Sequence, residues 1–154
     1  RLSLLQSCGW LICLASRNDE EDVLRVFEER ANEMPLKRSQ ITAWQVNWGP
    51  KSRSLQHLAA ELNLGLDSFV FLDDNPAEVQ EVQSNLPQVL VVQVPSGNMT
   101  AMDRMLHHHW ALDVWQTEPA TAEDARRTQL YKENAARRAA RREAPTAAAF
   151  LQHI

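Results

Sequence analysis

Short apolar runs that stop abruptly on polar residues recur along this chain. Between them lie stretches whose apolar positions fall at helical spacing. "WLICLAS", Trp10 to Ser16, ends on small polar residues; "FVFL", from Phe69, ends on two aspartates; "QVLVVQV" covers Gln88 to Val94. Runs of this length read as buried strands. "ITAWQVNW" alternates instead, placing Thr42, Trp44, Val46 and Trp48 on one face, and Gly49-Pro50 breaks it. After the first run, Asn18 and Glu21 fit a capping box, and Asp19 to Asp22 load the first turn with the charge a helix dipole favours. Val23, Val26, Phe27 and Arg30 are expected on that helix's inward face. In "KSRSLQHLAAELNLG", Leu55, Leu58, Ala59 and Leu62 predict a helix that Gly65 stops. A further short helix begins at Pro76, a residue well tolerated in a first turn.

Strands that do not alternate, exchanged with helices, predict an α/β fold with a parallel sheet covered on both faces. Ligands in such folds bind at the carboxyl ends of strands. Two of these ends carry polar chemistry here, Ser16 to Asn18 and Asp73 to Asn75. The composition changes after about Ser96. A short helix is expected over Met99 to Trp110, and "TEPATAED" opens a long Ala/Arg helix in which Thr121 and Asp124 form a capping box. The division that follows is a core over 1–96 and a helical segment over 97–154.

The 154 residues suit one domain with its own core, and 44% hydrophobic with 23% charged is ordinary for a globular protein. A net charge of −4 argues against nucleic acid as the main partner. No apolar stretch reaches the ~20 residues a membrane span needs, so no membrane partner is expected. Cys8 and Cys13 give neither a disulfide framework nor zinc spacing, which makes a reducing cytosol the default location. The chain opens on Arg1 and enters core-like sequence at once, which suggests a natural start further upstream.

Three features carry candidate chemistry. Asp73 and Asp74 are adjacent carboxylates that a divalent cation such as Mg²⁺ would reconcile; the alternative is one helix cap and one solvated acid. Lys51 opens a helix, where a cation opposes the dipole unless an anion such as phosphate lies nearby; the alternative is an exposed lysine. Ser16 and Asn18 follow a strand and can donate to phosphate oxygens, with Asn18 also serving as N-cap. His107, His108 and His109 cannot converge on one ion from a helix, because neighbours point about 100° apart. The tryptophans read as core or interface anchors, with Trp44 and Trp48 candidates for the wall of a substrate pocket. The basic run Arg137 to Arg142 reads as a solvated face or a docking patch for an acidic partner.

The order hydroxyl, lysine, paired aspartates resembles the haloacid dehalogenase (HAD) superfamily of aspartate-nucleophile phosphotransferases. "LASRNDEEDVLRVFEE", "WQVNWGPKSRSLQHLAAELNLGLDSFVFLDDNPAE" and "LPQVLVVQVP" are similar to its FkbH-like branch, and "TAEDARRTQLYKENAARRAARREA…FLQHI" to that branch's C-terminal helical segment. The resemblance implies a Rossmann-like parallel sheet and a Mg²⁺-dependent phosphatase or glyceryl transferase. Its phosphorylated small-molecule substrate would be 1,3-bisphosphoglycerate, with an acyl carrier protein of polyketide assembly as partner. By motif matching, Ser16 and Asn18 would bind phosphoryl oxygens, Lys51 would steady phosphate and nucleophile, and Asp73 and Asp74 would hold Mg²⁺. The family's D-x-D motif, expected on a first strand before Leu4, is absent, and Asp19, Asp22 and Asp67 do not match it. The resemblance therefore implies a core lacking its first strand, inactive by itself, or a non-catalytic binding or scaffolding module. The branch commonly has Cys where Ala15 stands; Cys13 lies two residues earlier on the same strand face.

Overall fold

The computed structural model describes residues 1–113 and 121–143. The chain begins with α1 (Leu2–Ser7), followed by β1 (Ile12–Ser16), α2 (Glu20–Glu29), β2 (Ile41–Val46) and α3 (Lys51–Leu62). It continues through β3 (Val70–Asp73), α4 (Pro76–Asn85), β4 (Leu90–Gln93), α5 (Met99–His108) and α6 (Ala122–Glu143). Single 3₁₀ turns lie at Arg38–Gln40, Leu66–Ser68 and Trp110–Leu112. The tail residues Phe150 to Ile154, quoted for the resemblance, lie outside the described residues.

The expected parallel α/β arrangement is present, in two halves. β1 pairs with β2 and β3 with β4, both in parallel, and no ladder joins the halves among the described residues. α3 holds them together. Leu55, Leu58 and Leu62 on its inner face join Ala43 of β2, Phe71 of β3 and Val82 of α4 in one core, with Leu86 and Val89 beside them. α6 lies across β2, α3 and α1. No described helix is long and apolar enough to cross a membrane.

Local chemistry sets several boundaries. α3 ends on Asn63, whose φ of 56° is left-handed, a conformation Asn adopts more easily than most non-glycine residues. The stop therefore precedes Gly65. The expected Asn18 capping box of α2 does not form: Asp19 holds the N-cap position without a side-chain capping bond, and the Asn18 side chain accepts from the adjacent Asp19 amide at 2.9 Å. The expected inward face of α2 is also corrected: Val23 and Phe27 are half-buried, while Val26 and Arg30 are exposed. This helix rides on the rim of the sheet rather than in the core. α6 begins with the expected reciprocal cap, Thr121 Oγ1 accepting from the Asp124 amide and Asp124 Oδ2 from the Thr121 amide. The Thr121 amide and hydroxyl, both donating to Asp124 Oδ2, hold the Asp124 carboxyl below its usual range.

One glycine is required by its surroundings. Gly9, in the turn between α1 and β1, has a φ of +86°, and a Cβ there would lie 2.8 Å from Asp124 Oδ1. Gly9→Ala is expected to lower unfolding free energy by about 1–3 kcal/mol, measurable by urea titration.

Candidate functional site

The carboxyl ends of β1 and β3 meet at one side chain. Lys51, the first residue of α3, is 6% exposed. Its Nζ donates to the Ala15 carbonyl at 2.5 Å and lies 3.5 Å from Asp73 Oδ2. A buried ammonium needs such partners, since desolvation without them is costly. The exposed-lysine alternative is thus excluded. The lysine joins the two half-sheets at their functional end.

The two aspartates separate. Asp73 is the last residue of β3; its Oδ1 accepts from the Asn75 amide at 2.9 Å, while Oδ2 faces Lys51. Asp74 is exposed. It lies one residue past β3, where water and salt screen its charge from that of Asp73. The cap of α4 belongs to neither: Asn75 Oδ1 accepts from the Ala77 amide at 2.9 Å. Among the described residues, no group of three or more His, Cys, Asp or Glu side chains could hold a metal ion.

The anion that the start of α3 favours is supplied by the chain itself. Glu81 of α4 accepts from the Ser52 amide at 3.0 Å and from Ser52 Oγ at 2.5 Å. A carboxylate there satisfies the free Ser52 amide and the positive end of the dipole together. Arg17, just past β1, pairs with Glu78 of α4 at 2.7 Å. These tethers fix α4 and the Asp73–Asn75 turn against α3 and β1. Sequence reading missed both. Glu81 and Glu78 stand on a polar stretch of α4, and only the fold brings them to partners 29 and 61 residues away.

Ser16 is at the same end, beside Ala15, half-buried, with its carbonyl accepting from the Asn47 amide at 3.0 Å. It shares the strand end with Lys51 but makes no bond to Lys51 or Asp73. Asn18 is exposed and turned to its own neighbour. Trp44 and Trp48 donate from their indoles to Glu20 at 2.6 Å and Asp19 at 3.2 Å. They tie β2 to the start of α2, and Trp48 remains 63% exposed beside the site. His107 and His109 make separate contacts, with Asp103 and the Ala111 amide respectively.

Cys13 lies between apolar side chains of β1 and α3, and its thiol is pushed up to about 11. Burial is the main cause, the hydrogen bond with the Ala43 backbone opposes it, and Glu61's charge adds to it. A neutral thiol is a poor nucleophile. Iodoacetamide is expected to label Cys13 at pH 8 about 100-fold more slowly than a thiol of pKa 9.0, as mass spectrometry of the Cys13 peptide would show. Because the folded value is raised, Cys13 contributes stability in full below pH ~9 that is lost between about pH 9 and 11. Cys13→Ala is expected to remove that part of the alkaline loss.

The parallel α/β fold, with Lys51 and Asp73 at its carboxyl ends, is HAD-like, and it is similar to a solved structure that contains a phosphatase domain. The similar structure is the N-terminal part of the protein BF1531 from Bacteroides fragilis, containing a phosphatase domain and complexed with Mg. The two share 33% identity with a TM-score of 0.65 over 75% of this chain. This chain spans 30% of the length of that solved chain. No protein-family model and no curated protein matches the sequence.

Proposed function

We propose that this chain carries the Lys51–Asp73 half of a Mg²⁺-dependent phosphatase or phosphotransferase centre of the HAD type. The observation that carries the reading is the buried lysine spanning the ends of β1 and β3 onto Asp73. The solved phosphatase domain complexed with Mg supports it. The donors fit the ion in kind: Mg²⁺ is usually held by one or two carboxylates, with phosphate and water completing the shell. Asp73 would hold it, with Asp74 on the open side. When bound, the ion would neutralise charge on a transferring phosphoryl group. Lys51 would orient Asp73 and supply a fixed positive charge for phosphoryl oxygens, and the Ser16 hydroxyl stands ready to donate to them.

The finer reading is an FkbH-like glyceryl transferase/phosphatase that takes 1,3-bisphosphoglycerate and loads an acyl carrier protein. The motif matches and the exposed Arg137, Arg138 and Arg141 face, suited to an acidic carrier, support it. The neutral Cys13 thiol favours phosphatase over transferase chemistry within this reading. A second reading, a binding module without catalysis, is favoured by the internal partners already in place, the Ala15 carbonyl and Asp73 on Lys51 and Glu81 at the start of α3. The test is phosphate release from acetyl phosphate with Mg²⁺, by this chain and by any longer product of its gene, each compared with its Asp73→Asn variant. A release at least tenfold slower in the variant is expected of the enzyme. Equal rates would refute the role of Asp73, and phosphate binding without release would support the second reading.

A further inference from the structure

β2 has β1 on one side, and no strand pairs with its other edge among the described residues. The Asn47 amide donates to the Ser16 carbonyl, so Asn47 is directed to β1. By the period of two, Ala43 and Gln45 share that direction, and Thr42 and Trp44 turn their N–H and C=O groups to the open edge. α6 packs on β2 there. Lys132, Ala135, Ala136 and Ala139 fall on one face of α6 by helical spacing and border, with Thr42 and Trp44, a cavity of about 790 Å³. That size lies within the roughly 300–1,000 Å³ usual for small-molecule pockets. The three alanines leave room that longer side chains would fill.

The polar chemistry of this cavity is incomplete. Thr42 is 5% exposed, and its hydroxyl is buried with no hydrogen-bond partner among the described residues. An orphaned buried hydroxyl is costly and calls for a partner. Two cations stand on the same wall. The Arg38 guanidinium lies 5.5 Å from the centre of the Trp44 ring, and Lys132 Nζ donates to the Ser39 carbonyl at 2.7 Å. Burial, and after it the charge of Arg38, pushes the Lys132 ammonium below its usual pKa. Arg38 also pairs with Glu28 at 3.2 Å, but both side chains are well exposed, where such a pair contributes little. Glu61 is the carboxylate on this wall. Burial pushes it above its usual range, against the hydrogen bond from Gln45. Two cations against one carboxylate leave a positive charge uncompensated, beside an unused hydroxyl and strand amides that no strand pairs.

We infer that this groove between β2 and α6 binds a small monocarboxylate with an apolar, ring-sized body. The carboxylate would accept from Lys132, from the Thr42 hydroxyl and from the amides of the open edge, as charge-assisted hydrogen bonds do. The body would lie on the alanine face of α6. One uncompensated positive charge matches a monoanion, and a dianion such as phosphate would exceed it. Lys132 and Ser39 stand at the amino end of β2, whereas Lys51 meets the carboxyl ends of β1 and β3. The inference therefore goes beyond the phosphatase reading, and either can fail without the other.

The probe is benzoate, added to the 154-residue chain and followed through amide shifts in NMR spectra. Saturable shifts are expected at Thr42, Trp44 and Ala136, half complete at roughly 1 mM, with Lys51 and Asp73 unmoved. Thr42→Val keeps the shape of the side chain and removes only an unpartnered hydroxyl, so the fold is retained. That variant is expected to bind benzoate at least fivefold more weakly, and Lys132→Met likewise. Benzamide, which has the same shape without the charge, should produce no saturable shift at the same concentrations. Absence of saturable shifts with benzoate, shifts confined to Lys51 and Asp73, or unchanged affinity in Thr42→Val would overturn the proposal. Equal binding of benzamide would overturn it by showing mere apolar filling, and tighter binding of inorganic phosphate at these amides by refuting the carboxylate.

Discussion

Replacing Lys51 by Met is expected to lower the unfolding free energy by about 3 kcal/mol and to abolish phosphate chemistry at this site. The lysine side chain is 8% and that of Asp73 13% exposed. Removing one member of a buried pair typically costs ~3–5 kcal/mol, because the surviving charge stays buried without its partner. The lower end applies, since Asp73 keeps the Asn75 amide. Met fills nearly the same volume, so packing is largely preserved and the loss reports the charge. Asp73→Asn in the Lys51→Met background is expected to restore part of the loss, since the orphaned carboxylate is then gone. Urea titrations of the wild type, the two single variants and the double variant measure both effects; a loss under ~0.5 kcal/mol for Lys51→Met would place the ammonium in water instead.

The second large effect is expected at Leu86. It is 2% exposed where α4 ends, in one core with Leu58, Val82 and Phe71. Leu86→Ala is expected to cost about 3–4 kcal/mol, as large-to-small changes in closed cores do. Leu58→Ala should cost less, near ~2–3 kcal/mol, although Leu58 is 1% exposed. Its side chain already borders a cavity of about 550 Å³ between β1 and β3, so fewer packing contacts remain to be lost. Thermal or urea unfolding of both variants checks the order, and the reverse order would mean that this cavity collapses in solution.

The strands were legible because parallel strands exchanged with helices leave uninterrupted apolar runs, even where, as in β1, every residue stays half-buried. Trp10 to Ser16 contains β1, and the run from Phe69 with its first aspartate contains β3. Helix ends were harder, since they turn on local geometry. Asn63 stops α3 two residues before the glycine that announces a stop, and Asp19 rather than Asn18 stands at the N-cap position of α2. α1 was not foreseen, being six residues anchored mainly by Leu5. At the site, Ser16 and Asp73 lie at the carboxyl ends of β1 and β3, with Lys51 between those ends. What their order in the sequence could not reveal was which partner each group takes. Lys51 spends its charge on Asp73 and the Ala15 carbonyl, Glu81 occupies the start of α3, and Asp74 turns outward. These pairings depend on contacts across the fold, to which no local pattern is sensitive.

The central proposal, that Asp73 beside Lys51 would hold a divalent cation, is tested most directly by Mn²⁺ binding followed through water-proton relaxation, with inorganic phosphate present and Mg²⁺ as competitor. Wild-type protein is expected to bind Mn²⁺ in a Mg²⁺-displaceable manner, and Asp73→Asn to weaken that binding at least tenfold. Undiminished binding in Asp73→Asn, or no Mg²⁺-displaceable binding in the wild type, would contradict it.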